Sequence, residues 1–197
     1  MKRIIRIFTL VSLVAMFSFS CNETRRDDDN DSNEVAEEQN EEKFEDNDME
    51  NDAEFVAEVV AANYAEIEFA QLASQRSTNP EVKALARQLV TDHTKVLSDL
   101  KSLAQSKAIS VPTEAEDADE RKIERFYDEA GKDFDKKWTK EMIDKHEKSI
   151  NRFEKRFEKT EDAELKAFAD KTLPHLRMHL EKLNALLEKI KDSDDNA

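Results

Sequence analysis

The sequence predicts an all-α fold in which four long antiparallel helices close on one core, with a short extra helix in the long connection between the second and the third. Three observations carry this prediction. One glycine and three prolines among 197 residues, with 39% charged, is a composition for long helices rather than sheets. Apolar residues recur in steps of three and four along four separate stretches. Turn and cap residues fall between those stretches, with Pro174 as the exception.

The first twenty residues stand apart from the fold. Lys2, Arg3 and Arg6 make a basic start, Ile7 to Phe19 is an uncharged, mostly apolar run too short for a comfortable membrane span, and Ser18 and Ser20 precede Cys21. Together these read as an export signal. Because Cys21 is the only cysteine and falls where cleavage is expected, the stretch resembles a bacterial lipoprotein signal that leaves Cys21 as a lipidated N-terminus. Ser18 and Phe19 depart from the usual pattern, and ordinary cleavage before Cys21 is the alternative. A lone cysteine leaves no partner for an intrachain disulfide.

From Asn22 to Asn51 nearly every residue is Asp, Glu, Asn or otherwise polar, and Val35, Phe44 and Met49 are the larger apolar side chains. Such a segment buries too little apolar surface to offset its ordering entropy. Residues 21–51 are therefore expected to be a disordered acidic tether between a lipid anchor and the domain, residues 52–191 the folded unit, and residues 192–197 a disordered tail.

The first long helix is expected from Asp52 to Ser77, with the seam Phe55, Val59, Ala62, Glu66, Phe69 and Ala73. Asn79 then suits an N-cap, with Pro80 at the first position of the second helix, which runs to Lys107. Its seam reads Val82, Ala86, Leu89, His93, Val96, Leu100 and Leu103. Ala108 to Glu116 is a loop, and Asp117 to Ala130 a short helix ended by Gly131 in a left-handed cap. The third long helix starts from Asp133 and reaches Lys159, with Phe134, Trp138, Met142, Ile143, Ile150, Phe153 and Phe157 on one face and His146 near its centre. Thr160 or Asp162 starts the fourth, whose apolar face runs from Leu165 to Ile190 and which Pro174 should kink.

Each long helix thus carries one ionisable or ligating residue on or near its apolar face: Glu66, His93, His146 and His179. Depth agrees for the first pair, since Glu66 and His93 lie 13 and 14 residues to either side of residue 79. In the fourth helix, facing selects His179, about 60° from the middle of the apolar face, and depth selects His175, about 100° away. A layer of three imidazoles and a carboxylate between helix midpoints suits one ion of zinc, copper or iron and suits calcium or magnesium poorly. Asn63 and His175 are candidates for a supporting outer shell. Asp92, Asp144 and Glu147 should point to the flanks as solvated charge. A buried hydrogen-bonded network without metal is the competing reading of the same four residues.

These stretches also carry a family resemblance. "AEIEFAQLA" with Glu66, "NPEVKALARQLVTDHTK" with His93, "DFDKKWTKEMIDKHEKSINRFEK" with His146 and "LKAFADKTLPHLRMHLEKL" with His179 resemble the domain-of-unknown-function 4142 family of exported bacterial proteins. The resemblance implies a ferritin-like fold and an envelope location, here the outer membrane, and makes a histidine at position 179 typical and one at 175 not. It implies no activity. Paired Glu-x-x-His motifs of ferritin di-iron sites are missing, because Val90 and Ile143 stand three residues before His93 and His146.

Several function classes fall away. A net charge of −15 does not suit a phosphate backbone, so no nucleic-acid partner is expected. There is no glycine-rich phosphate loop, no cysteine pair and no Ser/His/Asp arrangement on the seams. The expectation is a membrane-anchored binding or sensing module holding a transition metal; the alternatives are a structural or interaction module without metal, and a metal-dependent oxidoreductase.

Overall fold

Side-chain caps and short turns set the helix boundaries in the computed structural model, which describes residues 31–195, with side chains through residue 192. Helices α1 (Ser32–Lys43), α2 (Asn47–Arg76), α3 (Pro80–Ser106), α4 (Asp117–Phe126), α5 (Gly131–Phe157) and α6 (Ala163–Asp195) follow in order, and there is no strand among the described residues. The Asn79 carboxamide accepts from the amides of Glu81 (2.9 Å) and Val82 (3.4 Å), which starts α3 at Pro80. Asp162, not Thr160, caps α6, accepting from Glu164 (3.0 Å) and Leu165 (2.9 Å).

Four of the expected boundaries move. Residues 31–51 are not a disordered tether in the described part: Asp31 caps α1, and Asp46 caps α2 five residues ahead of the expected start at Asp52. Little apolar surface is needed, because α1 docks through Ala36 and through the amide of buried Asn40. That amide donates to Ser110 O (2.9 Å) and accepts from Ser110 N (2.8 Å). Helix α6 continues through Pro174 and past the expected tail boundary to Asp195. The short helix stops at Phe126, and Gly131, with φ +59°, is the first residue of α5 rather than a cap on α4. Cys21 and the expected export signal lie outside the described residues.

Cross-helix contacts give the directions. Asp52 accepts from Arg156 Nε (2.5 Å) while Trp138 Nε1 donates to Phe69 O (2.8 Å), so α2 and α5 run antiparallel. Glu81 pairs with Lys189 and Asp99 with Lys171, so α3 and α6 do as well. Joined by short turns, α2–α3 and α5–α6 are hairpins, and the crossover carrying α4 spans the distance between them.

Two apolar clusters fill the interior. One holds residues such as Phe69, Leu89, Trp138, Met142 and Leu183, and the other holds Phe55, Leu100, Phe153, Leu165 and Leu176. Along every long helix the boundary between them falls at one residue: Glu66, His93, His146 or His179. All four are buried.

Substituting Asn40→Ala leaves Ser110 N–H without its partner, at about 1–3 kcal/mol. Amide exchange across Ser32–Lys43 should accelerate roughly fivefold to a hundredfold while α2 to α6 keep their protection. Unchanged exchange in α1 would show that this amide does not hold it.

Candidate metal centre

The three histidines meet as an almost equilateral group, with ring centroids 5.2, 5.4 and 5.5 Å apart. One ring nitrogen from each lies within 4.8 Å of the others. Each ring is oriented by an acceptor on its far side. His93 Nδ1–H donates to Glu66 Oε2 (2.9 Å) and to Asn63 Oδ1 (3.1 Å). His146 Nδ1–H donates to Met142 O (2.8 Å), one turn back on its own helix. His179 Nε2–H donates to Asp92 Oδ2 (2.9 Å).

These acceptors carry no protons to give, so they fix the tautomers. The remaining nitrogens, Nε2 of His93, Nε2 of His146 and Nδ1 of His179, each present a lone pair. The first two stand 3.3 Å apart. His179 Nδ1 is buried with no hydrogen-bond partner. Two nitrogens at ordinary bond lengths on a tetrahedral ion would be separated by about 3.3 Å, so His93 and His146 are spaced as two ligands of one transition-metal ion would be, with a nitrogen of His179 within 4.8 Å.

Glu66 is not among the converging atoms. The structure places its carboxylate behind His93, where Oε1 also accepts from Ser149 Oγ (3.2 Å). Burial works to raise its pKa, but the charge and hydrogen bond of His93, followed by His146 and Lys145, outweigh it and hold the group at about 2. Lys145 stays close because Asp119 of α4 accepts from its ammonium at 2.6 Å. Asn63, which accepts from His93, has its own amide fixed by donation to Val59 O (2.8 Å).

Asp92 corrects the sequence reading: it is no solvated flank but the acceptor that orients His179. It is also bonded by Gln88 Nε2 (3.3 Å). Burial raises its pKa, yet the hydrogen bonds from His179 and Gln88 lower it overall. Asp144 and Glu147 are exposed as expected. Facing rather than depth decides the fourth helix, since His179 is buried and His175 exposed. Ser149 was missed, although it lies three residues after His146 on the same apolar face, where a polar residue needs a partner.

An all-helical protein with a buried group of three histidines, each braced from outside, is the class that this fold and geometry define. The chain belongs to the family described as domain of unknown function (DUF4142), whose pattern matches residues 34–186. No curated protein matches it. Among solved structures it is similar to one described as "CopM in the Cu(II)-bound form", with a TM-score of 0.58 and 17% identity over 70% of this chain and 96% of the other. That likeness is one of fold.

Metal-free stability should fall on acidification. Burial lowers the pKa of His146 from 6.5 to about 4, outweighing the pull of Glu66 in the other direction. Below pH 6.5 the unfolded chain takes a proton that the folded one refuses until about pH 4, so stability is lost across that window. Glu66 contributes above pH 4.5 and loses its contribution as pH falls toward about 2. In chelator, the urea midpoint should drop between about pH 7 and pH 5, and His146→Leu should flatten that drop. An equally steep drop in the variant would contradict this assignment.

Proposed function

We propose that this chain is a lipid-anchored protein of the bacterial cell envelope, with a ferritin-like four-helix bundle that binds one transition-metal ion through His93, His146 and His179. It acts as a binding or sensing module. The observation that carries this reading is that one ring nitrogen from each of three buried histidines lies within 4.8 Å of the others, together with the buried, unpartnered His179 Nδ1. A metal-free polar network accounts for less. A proton shared between His93 and His146 joins two of the nitrogens and leaves His179 Nδ1 with nothing.

Imidazole donors suit copper, zinc and iron, which keeps all three in view. The Cu(II) in the similar structure supports testing copper first. Glu66 and Asp92 hold the imidazoles from outside in the carboxylate–histidine arrangement that orients ligands and raises their basicity. The ferritin-like reading of the bundle draws support from the helix directions and from the crossover between α3 and α5. No helix among the described residues is long and apolar enough to cross a membrane, so membrane attachment in this proposal rests on lipidated Cys21.

Calorimetric titration of the domain should show one equivalent of Cu(II) or Zn(II) bound, with His93→Ala or His146→Ala abolishing it. Glu66→Gln and Asp92→Asn should keep the stoichiometry and weaken affinity by roughly 10–100-fold, as expected of residues that touch ligands rather than metal. Failure of the wild type to take up copper, zinc or iron would end the proposal.

The anchor has its own test. Expressed with its leader, the full chain should partition into the detergent-extracted membrane fraction, and Cys21→Ser should release it. A variant that stays with the membrane would rule out lipidation at this residue.

A further inference from the structure

The fourth histidine is left over. His175 is exposed on α6 one turn before His179, and it makes no hydrogen bond or ion pair among the described residues. Yet it lines a cavity of about 100 Å³ between α3 and α6 that reaches His93 and His179. Phe168 and Leu176 are among the apolar wall residues, Asp92 lies on the same cavity, and Lys95 and Lys171 on its lining are both paired with Asp99.

A second cavity, of about 290 Å³, approaches the layer from the side of α2, α4 and α5. It reaches Glu66 and Ser149 but none of the histidines, and its lining mixes basic and acidic side chains, Lys122 with Glu141 and Lys145 with Asp119 among them. A cation entering there ends at a carboxylate already bonded to His93 and meets no imidazole. The α3–α6 cavity instead leads to two of the three rings.

A hydrated metal ion entering a narrow apolar passage must shed water before the buried nitrogens can replace it. An unengaged imidazole at the mouth lowers that barrier by offering one donor early. Granting the reading that the three histidines bind a metal, we infer that the ion reaches them through the α3–α6 cavity and that His175 binds it first, passing it to His179 and His93. A transfer residue of this kind speeds loading and release together and leaves the equilibrium unchanged.

The test is stopped-flow mixing of the protein with Cu(II), followed by quenching of the single tryptophan, Trp138, with release measured by mixing the loaded protein with excess chelator. His175→Ala, at an exposed position, should slow loading and release roughly tenfold each with dissociation constant and stoichiometry unchanged. Lys148→Ala, on the other cavity, should match the wild type. Unchanged rates in His175→Ala would overturn the route. So would a weakened dissociation constant with faster release, because His175 would then be a ligand of the resident ion. A wild type that binds no copper, zinc or iron refutes the metal centre itself and is read from the titration, before any rate is compared.

Discussion

The far-side hydrogen bond on each imidazole is the constraint from which the rest of the layer follows. Three rings crowded to centroid separations near 5 Å could turn either nitrogen inward, and the acceptors remove that freedom. They come from three different sources: side chains of α2 for His93, the backbone of α5 itself for His146, and a side chain of α3 for His179. Because the bonds of His93 and His179 cross between helices, the layer also fixes the register of α2 against α3 and of α3 against α6. The apolar clusters above and below supply the burial that makes these bonds strong, since a hydrogen bond gains strength as water is excluded.

The polar layer in turn gives work to parts of the chain that are not long helices. Helix α4 in the crossover places Asp119 against Lys145, so the Lys145 ammonium near Glu66 is held in an ion pair. At the far end of the bundle, Asp52 accepts from both Arg156 Nε (2.5 Å) and Thr160 Oγ1 (2.8 Å), tying the start of α2 to the α5–α6 turn. Helix α1 packs beside α2 and is pinned to Ser110, just after α3.

Much of this was legible from periodicity. A residue type that does not belong on an apolar seam is visible without coordinates, and the depth count put Glu66 and His93 at one level because both are measured from a sharply signalled turn at Asn79 and Pro80. What periodicity cannot give is the direction of a side chain's last atoms. Glu66 and the histidines share a layer, and only the rotamers decide that Glu66 stands behind His93 instead of beside it. Asp92 was misread for a related reason: a position about 100° from the core face of one helix is solvent in an isolated helix and a groove once α6 lies alongside. Helix α1 was missed because composition measures hydrophobicity, and what holds α1 is one small buried side chain and an amide that pairs with backbone. Gly131 was right in its left-handed conformation and wrong in its role, since a positive φ can as readily launch a helix as end one.

Charge makes the last distinction between a packing layer and a binding one. Glu66 is buried and held ionised, and Asp92, half-buried, is likewise biased toward its charged form. Lys145 and Asp119 cancel each other. Burial pushes the pKa values of His146 and His179 down, which favours their neutral imidazole forms. Two carboxylates therefore flank the layer, Glu66 behind His93 and Asp92 behind His179. Replacing these buried polar groups with apolar residues would remove a desolvation cost. Under the proposed metal-binding reading, the charge of a cation held by the three rings would be offset by Glu66 and Asp92, which stand behind His93 and His179.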